Sequence, residues 1–180
     1  VSKSGHSFLY FVGGQMNAIA EISSSSLQQQ VDALAEAMDD LNPMLKKMRL
    51  LASNAVSAAA RAGSEGDAFR VLTQGIQELG LEIKHEIDHC KELLQTLADT
   101  ESGVEKKRVL FQIKTTLEEL PAAVAKGDYL AIYCSVEAAH AETHATRFNS
   151  VAQMLKSLIS DLRGEISKQK TLIDNMLEQA

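Results

Sequence analysis

From Leu27 onward the apolar residues Leu27, Val31, Leu34, Met38, Leu41, Leu45, Met48, Ala52, Ala55 and Ala59 recur at spacings that alternate four and three. A seam of that period, sustained over so many turns, demands one long helix with a stripe turned toward another helix. A strand cannot carry it, because residues on one face of a strand are two apart. Pro43 lies inside the pattern and removes a backbone donor, so a kink or break is expected near Asn42.

Gly63-Ser64-Glu65-Gly66 supplies two residues that tolerate positive φ, as reversing a helix requires. A second seam follows at Leu72, Ile76, Leu79, Ile83, Ile87, Cys90, Leu94 and Leu97, which predicts a helix from Asp67 to Ala98. The connection is short, so the two helices are antiparallel neighbours. Thr100-Glu101-Ser102-Gly103 is the next break, and Leu110, Ile113, Leu117, Leu120 and Val124 mark a third helix. Lys126-Gly127-Asp128 reads as another turn, with Asp128 as N-cap of a long fourth helix through Leu130, Cys134, Phe148, Leu155, Leu162, Ile166 and Met176. The expected fold is all-α: a long coiled-coil-type antiparallel hairpin plus a second helical pair, four helices in up-down order. Residues 1–15 are expected to be an extension or linker, 16–98 the hairpin with its turn at 63–66, and 104–180 the second pair with its turn at 126–128.

Composition narrows the function. The chain is 45% apolar but only 4% aromatic, which favours thin, layered helix packing over a deep globular core. A net charge of −6 argues against a nucleic-acid partner, and the one dense basic run, Lys106-Lys107-Arg108, fits a solvated helix face. Cys90 and Cys134 suit a reduced, cytoplasmic protein. The apolar run Phe8-Leu9-Tyr10-Phe11-Val12 is too short to cross a membrane and ends at Gly13-Gly14, so no membrane contact is expected from this segment itself. Val1 is not a natural start, and the chain is expected to be a piece of something longer, such as the cytoplasmic part of a membrane receptor.

Around the first turn the residues become small. Ala55, Ala58, Ala59 and Ala62 let two helix backbones approach closely, Gly63 and Gly66 permit the reversal, Phe69 caps the apolar end of the seam, and Arg61 complements the C-terminal dipole of its helix. The order from Asn54 through the alanine cluster, Arg61-Ala62-Gly63, Gly66, Phe69 and Val71-Leu72, continuing to Leu79, resembles the signalling tip of methyl-accepting chemotaxis receptors. That resemblance implies a non-enzymatic module that forms a homodimer, two hairpins packing as a four-helix bundle, whose tip binds a histidine kinase and a coupling adaptor. The residues matching the contact surface are Leu50, Leu51, Asn54, Ala58, Arg61 and Val71. The chain departs from the family where a glutamate is replaced by Ala58, a leucine by Ser53, and a Gln-Thr-Asn run by Lys47-Met48-Arg49. Gln29 and Gln30, flanked by small residues in Ser26 to Ala33, match the pattern of family methylation sites but lie much closer to the turn.

Four of the five histidines form two matching sets, Glu82, His85, His89 and Glu137, His140, His144. Each is Glu-x-x-His-x-x-x-His, a spacing that gathers three side chains on one helix face. Paired motifs of this kind build di-iron bundles, and zinc accepts the same imidazoles, so zinc or iron is the cofactor they suggest. With a turn at 126–128 the two sets come within one helical turn of each other in height. The faces oppose a shared site, because His85 and His89 point roughly 200° to 240° away from their helix's seam. Glu118, Glu119, Asp39 and Asp40 are the carboxylates that could complete it. No phosphate loop, nucleophile elbow or oriented Cys-His pair is present in the sequence. Three functions follow: a chemoreceptor-like signalling module, a metal-binding helical sensor, and a structural coiled-coil scaffold that has lost kinase coupling.

Overall fold

A computed structural model of the chain describes residues 25–179, and every described element is helical. Helix α1 covers residues 25–39, and α2, Leu41–Arg61, continues its direction after a single turn residue, Asp40. The break expected near Asn42 therefore falls one turn N-terminal to Pro43, where the proline ring crowds the preceding carbonyls. The Asp40 N–H still donates to Glu36 O at 3.0 Å, and Asn42 reaches back to Asp39 at 3.2 Å. The seam crosses the break in phase, since Val31, Leu34, Met38, Leu41, Leu45 and Met48 are all buried.

The chain reverses through a 3-10 turn at Gly63–Gly66. Gly63 has φ +59°, the left-handed region that residues with a Cβ avoid. Gly66 is needed for a different reason: a Cβ there would lie 2.0 Å from Ala59 O. Helix α3 then runs Asp67–Ala98 with Phe69, Ile76, Leu79, Ile83, Ile87, Cys90, Leu94 and Leu97 buried.

The turn expected at Lys126-Gly127-Asp128 does not exist. Helix α4 runs unbroken from Gly103 to His140, passing through Pro121 and Gly127. Each residue that suggests a turn has a packing role instead. Gly127 is buried because a Cβ would stand 2.2 Å from Ile159 Cδ1 and 3.0 Å from Leu79 Cδ2, so the missing side chain admits neighbours from two helices. Lys126 pairs with Glu82 of α3 at 2.6 Å, and Asp128 pairs with Arg163. Asp128 is thus no N-cap. The reversal comes at Ala141 to His144, where Ala141 turns extended (φ −83°, ψ 108°) and the His144 carbonyl accepts the Phe148 N–H to open α5, Ala145–Gln179.

Helix α2 lies beside α3 and α5, and α4 also lies beside α3 and α5, so the helices form a square around one continuous apolar cluster. The two hairpins do not keep separate cores. Because α4 is antiparallel to α3, the 141–144 reversal sits next to the 63–66 turn. There Phe69 and Phe148, both fully buried, stack with centroids 4.0 Å apart and planes 7° apart. Ion pairs from Lys91 to Asp39 and from Lys114 to Asp174 link neighbouring helices on the surface, where such contacts add little stability.

Candidate protein-docking surface

The uninterrupted α4 separates the two histidine sets. Leu79 stands beside Gly127 and Glu82 beside Lys126, which puts His85 level with the stretch around Pro121. His140 lies roughly 19 residues farther along α4, about 28 Å at the helical rise of ~1.5 Å per residue. The expected closeness in height depended on a turn that the chain does not make. Individual residues are also otherwise engaged. Glu82 accepts from Lys126, Asp39 accepts from Lys91 at 2.5 Å, and His89 Nδ1 is 3.9 Å from Glu92. His85, His89 and His140 are exposed, Glu137 is half-buried, and the half-buried His144 ring rests 6.3 Å from Phe148. Among the described residues no group of three or more His, Cys, Asp or Glu is gathered in metal-holding geometry. These residues do not fit a zinc or iron centre.

The thiols carry no reactive chemistry either. Cys90 and Cys134 are free and fully buried. Burial, with a smaller contribution from the Glu86 charge, pushes the Cys90 thiol up to about 12. Burial and the Glu137 charge push Cys134 up to about 11. A protonated, shielded thiol is a poor nucleophile.

The six residues matching a receptor contact surface divide by burial. Leu50, Asn54, Arg61 and Val71 are exposed, whereas Leu51 and Ala58 belong to the core. Leu50 and Asn54 are four apart on α2, so they share a face. They line one groove between α2 and α5, with Lys47 and Leu51 on their side and Met154, Ser157, Leu158 and Asp161 opposite. Leu50 is 65% exposed and Met154 53%, an unusual exposure for large apolar side chains facing each other across a groove. Lys47 and Asp161 give the rim both signs of charge. A second groove between α2 and α3 holds Met48, Arg49, Ala52, Ile76, Gln77, Gly80 and Leu81. Arg61 stands at the end of α2 beside the turn, and Val71 projects from α3.

Gln29 is exposed, but Gln30 is turned toward α5, where it donates to Gln179 Oε1 at 2.7 Å. The paired glutamines are therefore not equivalent surface amides. Residues 1–15, expected to form an extension, lie outside the described residues.

Met154 and Asp161 escape the sequence reading, because a fourth helix begun at Asp128 gives no reason to set residues 154–161 against α2. The spacing of Met154, Ser157 and Asp161 on one α5 face, flanking the buried Leu158, is the signal that pairs them with α2 once the true reversal is known. The same correction changes the assembly. A four-helix bundle that the chemoreceptor resemblance assigns to two copies is built here from one chain, with α4 and α5 beside the α2–α3 hairpin. Any second copy must then meet the outside of the bundle. Among the described residues, no helix is long and apolar enough to cross a membrane. No protein-family model matches the chain, and no solved structure matches it.

Proposed function

We propose that this chain is a non-enzymatic, chemoreceptor-like signalling module of the cytoplasm that docks a chemotaxis-type histidine kinase and its coupling adaptor through the tip-proximal face of α2. The observation that carries this reading is the groove in which Leu50 and Asn54, two of the residues that match the chemoreceptor contact surface, stand exposed opposite Met154 of α5. An exposed leucine and methionine flanked by Lys47 and Asp161 form an apolar centre with a polar rim, the anatomy of a protein interface. Arg61, exposed beside the turn, extends the same surface toward the tip.

The test is binding of the full chain to a chemotaxis kinase and adaptor, with Leu50→Asp and Asn54→Arg variants. Both residues are exposed, so melting temperature should stay constant while affinity falls at least about tenfold, as for a central interface residue. A folded wild-type chain that captures neither protein sinks the proposal. The scaffold reading has its own support, since Ala58 is buried where the family places a glutamate, and Lys47 and Arg49 add charge beside Leu50. It predicts no change in any signalling output when Asn54 or Arg61 is altered.

A further inference from the structure

Helix α4 differs from the other long helices in being the least amphipathic. Its inner side carries the core seam of Leu110, Ile113, Leu117, Leu120, Val124 and Cys134. Its outer side carries a second set: Val104, Phe111, Tyr129, Ile132, Tyr133 and Val136, between 44% and 83% exposed. At 100° per residue these six fall within an arc of roughly 100°, the width of a packing face. A helix apolar on both sides is ordinarily sandwiched between partners, and among the described residues only one side has any.

The outer set is also ordered. Positions 104, 108, 111, 115, 118, 122, 125, 129, 132 and 136 alternate four and three, which is a coiled-coil seam running the length of α4. Read in reverse about Leu120, the apolar ends of the seam and the residues beside it match themselves chemically. Val104 falls opposite Val136, Phe111 opposite Tyr129, and Lys107 opposite the Tyr133 ring, a cation–π pairing. The middle positions Thr115, Ala122 and Ala125 are small, so two such helices can approach closely where they cross the twofold axis. Self-complementarity of one surface is what a twofold contact between identical chains requires. The face has the size for it. A strip about 50 Å long and about 10 Å wide covers about 500 Å² per copy, close to the lower edge of specific interfaces at about 1,200 Å² in total.

We infer that the outer face of α4 is the contact with a second copy of this chain, packed antiparallel about Leu120 so that Phe111 of one copy meets Tyr129 of the other. This dimer does not depend on the docking function proposed above, and it packs on the outside of the bundle that the described helices of one chain form. The seam has two flaws: Arg108 falls opposite Ile132, and Glu118 faces small Ala122 and lies near the twofold axis, where the second copy's Glu118 brings a like charge. The contact is accordingly weak.

Sedimentation equilibrium of the full chain up to about 200 µM decides it, at a concentration where an interface of this size associates. The expected result is a monomer–dimer equilibrium. Phe111→Glu and Tyr129→Glu each weaken it at least about tenfold with unchanged helicity, and Glu118→Leu, which removes the repulsion, tightens it by a similar factor. Mixing Phe111→Cys with Tyr129→Cys chains gives the mixed disulfide in preference to either homodimer, and the buried native thiols do not compete. A chain that stays monomeric both as wild type and as Glu118→Leu overturns the inference. So does a dimer indifferent to Phe111→Glu, or one in which the Phe111→Cys chain cross-links to its own kind in preference to the Tyr129→Cys chain, or a face occupied only by a different protein.

Discussion

The ring of Phe69, just past the reversal at 63–66, lies flat against that of Phe148, just past the reversal at 141–144, with centroids 4.0 Å apart. Both side chains have no exposed surface, and they join the two hairpins at the end where the chain turns twice. Thr143 adds a long 3.5 Å contact to Glu65 above them. Truncation of either ring to alanine removes buried contact from both hairpins. Phe148→Ala should cost about 3–5 kcal/mol of unfolding free energy, read from urea midpoints. The double variant with Phe69→Ala should lose less than the sum of the singles by about 0.5–1.5 kcal/mol, the pairing energy of the stack. Strict additivity would mean that the rings stabilise their own hairpins independently.

Gly127 sits in the middle of a 38-residue helix, where alanine ordinarily stabilises by about 1 kcal/mol. Its surroundings reverse that sign. The added methyl would meet Ile159 Cδ1 at 2.2 Å and Leu79 Cδ2 at 3.0 Å. Gly127→Ala should therefore destabilise by about 1–3 kcal/mol, the usual cost of overpacking. Ile159→Val, which deletes the nearer clashing carbon, should cost less in the Gly127→Ala background than in wild type. Thermal melts of the four proteins measure this, and a stabilised Gly127→Ala would contradict the close approach.

The same glycine explains where the sequence misleads. At Gly63 a glycine beside serine and a second glycine marks a true reversal, and the left-handed φ confirms why the residue is needed. At Gly127 a glycine between two charged residues, Lys126 and Asp128, also reads as a turn, yet its cause is an isoleucine and a leucine that are distant in sequence. Turn chemistry is a local property, whereas close packing depends on partners that no local pattern names. The real reversal between α4 and α5, Ala141-Glu142-Thr143-His144, contains neither glycine nor proline, so nothing in it announces a break. The all-helical class, the α2–α3 hairpin and its seams were legible because heptad spacing is self-announcing. The α2–α5 groove was not, since it exists only once α5 begins at Ala145.

Cys90 and Cys134 should be silent toward a thiol reagent at pH 8 in the folded chain and both react in denaturant, because burial keeps them protonated. Their folded values, about 12 and about 11, exceed the ordinary thiol value of 9.0. The folded state therefore holds protons that the unfolded state has released. Stability from this source is complete below about pH 9 and falls as pH rises through the window up to about 12. A Cys90→Ala, Cys134→Ala chain should show a shallower alkaline decline in urea midpoint, whatever its stability at neutral pH. Reaction of either thiol in the folded chain at the rate seen in denaturant would refute the burial.

Gln169 is the only glutamine of the described core with no exposed surface. Its Nε2 donates to Ala37 O at 2.8 Å, fastening α5 to the last turn of α1 beside the Asp40 break, while its Oε1 has no partner. Two replacements separate these halves. Gln169→Leu loses the donor but also the unpaired acceptor, two effects of opposite sign, and should change stability by no more than about 1 kcal/mol. Gln169→Glu keeps the shape but sets a carboxylate against the Ala37 carbonyl in an apolar site, which should cost several kcal/mol at neutral pH. The buried acid has a raised pKa, so the folded variant binds a proton that the unfolded one lacks. Its loss should shrink as pH is lowered toward about 4.3, the ordinary glutamate value. Urea titrations of the three chains at pH 7 and near pH 4.5 provide the comparison, and a Gln169→Glu penalty independent of pH would show that position 169 is solvated.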